Sequence, residues 1–263
     1  MVPHDPARGA LSLNGHPYPA EAAAARRGLG VVFQSPSLDK KLTVAENMQT
    51  HGALYGLRGA ALESRVAELL ERFALADRRR DSVEALSGGL QRRVEIAKSL
   101  IPRPTLLLLD EPSTGLDPSA RRELWDYLRA LRESDGLTLM MTTHFLDEAE
   151  WCDRLLVLDQ GRVVALDAPD ALKRKVGGGG ALLSVQPLPG AAAALRETLR
   201  GLGFAATERG AFLDVEAPAH AEAERRLVEA LLAAHRRQIA GLTLSAPSLE
   251  TVFTRLTGRS FTS

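Results

Sequence analysis

A single cysteine, Cys152, stands in the 263 residues. No disulfide can form within the chain, and the residue reads as a small apolar side chain on a helix. No apolar run approaches the roughly 18 residues of a membrane-spanning helix. The longest, "TLLLLDEP" and "LTLMMTTHF", are the size of single strands. The opening "MVPHDPARG" has neither the basic start nor the apolar middle of a secretion signal. Charge of one sign is not in excess either: 33 basic and 33 acidic residues give a net of +0. That removes a global electrostatic reason to bind nucleic acid or an anionic membrane. Together these absences predict a cytoplasmic chain whose dealings with a membrane go through a partner. One more absence concerns chemistry. No G-x-x-x-x-G-K-[ST] phosphate loop occurs, and none of the lysines (Lys40, Lys41, Lys98, Lys173, Lys175) follows a glycine.

What is present is ordinary globular material, 45% hydrophobic and 25% charged. "LSL" at Leu11–Leu13 predicts a short strand turning at Asn14-Gly15. "GLGVVFQ" predicts a strand ending at Gln34. Leu62, Val66, Leu69, Leu70 and Phe73 recur at helical spacing on one face. "LSGGLQRRVEIAKSL" predicts a helix with Ser87 as its N-cap. From Thr105 strands and helices alternate: "TLLLLD", of the continuous apolar kind covered on both faces, then a helix with Leu124, Leu128 and Leu131 on one stripe, then "LTLMMTTH", "FLDEAEWC" and "RLLVLD". That alternation predicts an α/β fold with a mostly parallel sheet. The "VGGGG" run predicts a flexible linker at 176–180. Beyond it, over 181–263, a β-α-β-β-α-β order predicts a small α+β, ferredoxin-like domain with a closing helix, "SLETVFTRLTG".

Four features in fixed order carry the chemistry: "VVF" with Gln34, "LSGG", "LLLLDEPSTGLD", and "MMTTH" ending at His144. Asp110 and Glu111 end an apolar strand, where open parallel sheets bind ligands. Asp110 can hold Mg²⁺, and Glu111 can polarise a water that attacks a terminal phosphate. His144, also at a strand end, can donate a hydrogen bond to that phosphate, and Gln34 can orient the water or contact the metal. Ser87, Gly88 and Gly89 open a helix, where bare backbone N–H groups and the positive end of the helix dipole attract an anion. Each feature is common by itself: a polar strand end, a structural histidine, a glycine-rich helix start. Their order is what points to a nucleotide site.

These motifs resemble those of one family, the ATP-binding subunits of ABC transporters. "LSGGLQ" is similar to the signature, "LLLLDEP" to the Walker B strand with its catalytic glutamate, and "STGLD", ending at Asp117, to the D-loop. "VVFQ" is similar to the Q-loop and "TTH" to the switch histidine. The likeness runs from about Gly9 to Pro169. "VVFQSPSLDKKLTVAENM" and "PSLETVFTRLTGR" resemble exporter ATPases of the drug-resistance and nodulation-factor type. The resemblance implies a P-loop NTPase cassette over 1–175 with a helical subdomain at about 43–100. It also implies ATP and Mg²⁺ as ligands, a separate transmembrane permease, and a second cassette in a homo- or heterodimer. In such a dimer one chain offers its phosphate loop, Asp110, Glu111, Gln34 and His144 to an ATP, and the other offers Ser87 and Gly89; Gly88 and Asp117 are implied as further nucleotide-binding residues.

Two departures stand out. Leu90 occupies a position where many members have Gln. The phosphate loop is missing, and because "GALSLNGHPYP" looks like the strand that follows the loop's helix, the loop is expected upstream of residue 1. Without it, three charge-assisted hydrogen bonds of at least about 1.5 kcal/mol each are lost, over a thousandfold in affinity. The chain as printed is therefore expected to be a poor ATPase, with uncovered apolar side chains and open sheet edges. An alternative is a non-catalytic subunit that donates its signature to an intact cassette. ABC ATPases of DNA repair or translation fit less well: Gln34 and Ser87 are separated by no sustained heptads, and only one cassette is present.

Overall fold

The computed structural model describes residues 9–176, 181–217, 221–245 and 248–258. Most of the glycine run expected as a linker, from residue 177 on, lies outside these. The chain divides into two compact units, one ending at Thr143 and the other beginning at His144.

The first unit opens with a hairpin, β1 (Leu11–Leu13) and β2 (His16–Tyr18), paired antiparallel. Asn14 (φ 52°) and Gly15 (φ 80°) supply the left-handed conformations that its two-residue turn requires. α1 (Ala22–Arg27) leads into β3 (Leu29–Val32). Three helices follow before the next strand: α2 (Val44–Leu54), α3 (Gly59–Arg72) and α4 (Gly88–Ser99). Thr43 caps α2 in a reciprocal box with Glu46, the T-x-x-E pattern that satisfies two orphan N–H groups. The predicted stripe of α3 is buried at Leu62, Val66, Leu69 and Leu70. β4 (Leu106–Asp110), α5 (Pro118–Asp135) and β5 (Thr138–Thr142) complete the unit.

β3, β4 and β5 form a parallel sheet in that order, with Leu29 opposite Leu106 and Leu106 opposite Thr138. Val32, Leu107 and Leu109 enter one core with Met48, Leu69, Phe73, Ile96 and Leu128. Gly30 has no room for a side chain, since a Cβ there would meet Leu107 Cδ1 at 2.9 Å and the Ser99 carbonyl at 3.0 Å. The strand "LLLLD" was expected to be covered on both faces. Among the described residues it is covered on one: Leu107 and Leu109 are buried, Leu106 and Leu108 only partly so, and Met140 beside them on β5 is 63% exposed.

The second unit starts with the short α6 (Leu146–Ala149) and an antiparallel hairpin, β6 (Leu155–Asp159) and β7 (Arg162–Asp167). Leu156, Leu158, Val163 and Leu166 of this hairpin are exposed. α7 (Pro169–Val176) follows. Then come β8 (Leu182–Pro187), α8 (Ala192–Gly201), β9 (Ala206–Arg209), β10 (Phe212–Glu216), α9 (Ala221–His235) and β11 (Ile239–Ser245). Their sheet has the order β11-β8-β10-β9, antiparallel throughout, which is the ferredoxin-like arrangement. Leu195 and Leu199 of α8 and Leu227 and Leu231 of α9 share a core with Leu183, Val185, Leu213 and Val215. Both helices therefore cover the same sheet face. The last helix, α10 (Leu249–Thr257), places Val252 in a separate small core with Val157 and Leu172. β2, α1, β7 and α7 were not read from the sequence, and α2 only as part of the helical region expected at about 43–100.

Candidate functional site

Because β3, β4 and β5 run parallel, their carboxyl ends lie at one edge of the sheet, and the polar residues that follow them meet there. Gln34 lies two residues past β3, Asp110 ends β4, and Glu111 comes next. Gln34 Nε2 donates to Glu111 Oε2 at 3.1 Å, and Thr114 Oγ1 donates to the same oxygen at 3.1 Å. Thr142, the last residue of β5, donates through Oγ1 to Asp110 Oδ1 at 2.6 Å. Its Oγ1 and carbonyl each accept from the Glu111 N–H at 3.1 Å. Glu111 has φ 43°, a left-handed conformation that costs a non-glycine residue on the order of 1 kcal/mol or more. The Thr142 hydroxyl and carbonyl hold its N–H there, and Gln34 and Thr114 hold its carboxylate. Asp110 is exposed and Glu111 half-buried, so the two carboxylates border open space.

The helix start "SGG" is built as the sequence predicted. Ser87 is the N-cap of α4, with φ −62° and ψ 158°, and its hydroxyl accepts from the Leu90 N–H at 3.4 Å. The two glycines have different reasons. A Cβ on Gly88 would meet nothing within 4 Å, whereas one on Gly89 would sit 2.9 Å from the Ala120 Cβ of α5. Gly88 faces open space, and Gly89 lets α5 pack close. Ala120 belongs to the first turn of α5, which Asp117 caps: its Oδ1 accepts from the N–H groups of Ser119 at 2.9 Å and Ala120 at 3.0 Å. Those bonds, Ala120 first, hold the Asp117 carboxyl below its usual range. Asp117 and Ser87–Gly89 are thus joined by packing of α4 on α5, while Gln34, Asp110 and Glu111 are joined by hydrogen bonds.

His144 opens the second unit, two residues beyond Thr142 in the chain, with its ring 4.1 Å from that of Phe145. Cys152 is half-buried, its Sγ 3.9 Å from the Glu148 carbonyl.

Among the described residues no three His, Cys, Asp or Glu side chains gather to hold a metal by themselves. Mg²⁺ bound with a nucleotide does not need such a cage, since one or two carboxylates suffice when phosphates and water supply the rest. Asp110, exposed and fixed by Thr142, fits that donor set. No helix among the described residues is long and apolar enough to cross a membrane.

Sequence reasoning missed Thr114 and Thr142, which orient the carboxylates. Both sat inside quoted motifs, "PSTGLD" and "MMTTH", and their hydroxyl chemistry was the only signal. It also missed Arg92, Glu95 and Lys98, whose spacing of three reads as a solvated helix stripe. All three are buried.

Comparison with known proteins gives a consistent picture. The sequence profile described as ABC transporter matches residues 3–114. The linearmycin resistance ATP-binding protein LnrL of Bacillus subtilis is 34% identical over 98% of this chain and 83% of its own length. The Nod factor export ATP-binding protein I of Cupriavidus pinatubonensis is 45% identical over 65% of this chain. The chain spans about half the length of that relative and of other Nod factor relatives. A solved structure of cbiO1 from Clostridium perfringens, described as part of the ABC transporter complex cbiONQ, superposes with a TM-score of 0.60. It is 27% identical and covers 66% of this chain and 74% of that one.

Proposed function

The chain belongs to the ATP-binding subunits of the ABC transporter family, and from that premise we propose that it binds ATP with Mg²⁺ and takes part in its hydrolysis, energising export through a separate membrane permease. The observation that carries this reading is the Gln34–Glu111–Asp110 group at the ends of three parallel strands. Glu111 polarises the attacking water, and Gln34, already within hydrogen-bond reach of its carboxylate, orients that water. Asp110 holds the metal, which when bound neutralises charge on the phosphates. His144 donates to the terminal phosphate. Ser87, Gly88 and Gly89, at the start of α4, and Asp117 face the ATP of a second cassette. The export direction follows the names of the drug-resistance and Nod factor relatives. The segment 35–48 is the proposed contact with the permease, and the chain works at the inner membrane face without nucleic acid.

A polypeptide of these 263 residues has no lysine preceded by glycine, so by itself it is proposed to hydrolyse ATP slowly. The capped start of its signature helix α4 is exposed at Ser87 and Gly88. That favours a second reading, in which this chain donates the signature to an intact cassette. One experiment separates the two. ATP hydrolysis is measured for the chain with its permease, and then after adding an intact related cassette. Under the first reading Glu111→Gln abolishes turnover. Under the second, Ser87→Arg abolishes the stimulation of the added cassette while Glu111→Gln leaves it. Indifference to both substitutions would refute both.

A further inference from the structure

We propose that Arg92, Glu95 and Lys98 of α4 are positioning residues that make the loop 33–37 part of the signature helix, so that α4 sets where Gln34 meets Glu111. The inference rests on the functional reading above and adds to it the means by which one end of the site governs the other.

The contacts are specific. Arg92 Nη1 donates to the Phe33 carbonyl at 2.6 Å, and Arg92 Nη2 to the Gln34 carbonyl at 2.7 Å. Glu95 Oε1 accepts from the Ser37 N–H at 2.6 Å and from Ser37 Oγ at 3.0 Å, while its Oε2 accepts from Arg92 at 2.9 Å. Lys98 Nζ donates to the Ser37 carbonyl at 2.8 Å and to Ser37 Oγ at 2.9 Å. Arg92 is 4%, Glu95 0% and Lys98 7% exposed.

Two cations and one anion share this buried space, so the carboxylate alone leaves one positive charge unbalanced. The loop's three carbonyls supply the remaining negative ends of dipoles. Pulling the loop from α4 would strand buried charge without acceptors, which costs far more than breaking an ordinary hydrogen bond. The Gln34 side chain, by contrast, reaches Glu111 through one 3.1 Å bond between half-exposed or exposed groups. When α4 shifts relative to β4, the weaker contact gives way. Gln34 travels with the helix and leaves Glu111.

The test uses the full chain. Amide hydrogen exchange is followed at residue 37, and ATP turnover is followed with the permease assembled. Glu95→Gln keeps the shape but turns an N–H₂ toward groups that are all donors. It is expected to speed exchange at residue 37 about tenfold, the loss of roughly one hydrogen bond, with amides 94–99 of α4 unchanged. It is also expected to lower kcat while leaving KM for ATP in place. Ser37→Ala, which removes the hydroxyl shared by Glu95 and Lys98 but keeps both charges and their bonds to the residue 37 backbone, is expected to give a smaller acceleration at the same residue and decides the matter if the first variant does not fold. Wild-type exchange at residue 37 in both variants overturns the proposal, as does acceleration only in step with α4. Glu111→Gln is the control for the functional reading. If it leaves turnover intact, that reading fails while the exchange result still judges the clamp.

Discussion

Two helices each carry an Arg–Glu pair three residues apart and use it in opposite ways. On α4, Arg92 and Glu95 stand three apart and pair at 2.9 Å with side chains 4% and 1% exposed. On α9, Glu222 and Arg225 stand three apart and pair at 3.0 Å with side chains 57% and 59% exposed. Distance and sequence spacing are nearly identical, so neither sets the consequence. Desolvation does. The α9 pair competes with water, and Arg225 also reaches Glu229 at 2.8 Å in a surface network that adds solubility more than stability. The α4 pair has no water to fall back on, so each of its charges must find a protein partner, and the loop 33–37 is recruited as one.

The comparison is tested most strongly by deleting one partner on each helix. Glu95→Ala is expected to lower the unfolding free energy by about 3–5 kcal/mol, because it leaves buried cations unpaired. Glu222→Ala is expected to leave the urea midpoint unchanged. Equal losses at the two sites would remove burial as the explanation.

A second prediction concerns His51, whose ring lies tilted against that of Tyr55 with centroids 5.0 Å apart. Burial, and then the Lys98 charge, push its pKa from 6.5 down to about 4. The folded state thus favours the neutral ring. Its contribution is complete above about pH 6.5, the unfolded value, and is lost as pH falls through 6.5 toward 4. His51→Gln should flatten that part of the stability profile of the first unit. An unchanged profile would mean that the charge on Lys98 and the burial around it do not reach His51.

A smaller effect is expected from Thr43→Ala, which removes the cap of α2, where the Thr43 hydroxyl accepts from the Glu46 N–H at 3.2 Å. The cost is about 1 kcal/mol, read from chemical denaturation. This contact is local and partly exposed, and it stands between the two ion pairs in cost for the same reason of access to water.

Much of the fold was legible because it is written in local periodicity. The α3 stripe, the Ser87 cap and the β-α-β-β-α-β order of the second unit each follow from residues close in sequence. The short or polar elements escaped. "HPY" of β2 and "PDALKRKV" of α7 carry little apolar signal; β2 is held by its pairing with β1, and α7 by contacts outside its own segment, such as Leu172 against Val157 and Val252. In the site, Gln34, Asp110 and Glu111 were found by motif. Thr142 and Thr114 were not, because a threonine hydroxyl shows its use only when its acceptor is in view.

The residue types of the proposed nucleotide site, the Ser87 cap and the β-α-β-β-α-β order of the second unit were determined by the sequence alone, since each depends on neighbours within a turn or a strand. Only the tertiary structure decided that Gly89 makes room for Ala120 while Gly88 stays open, and that the α4 charges turn inward to hold a loop. The reason is physical: exclusion of water is a property of what packs from elsewhere in the chain, and it changes the energy of a charge far more than any spacing along a helix does.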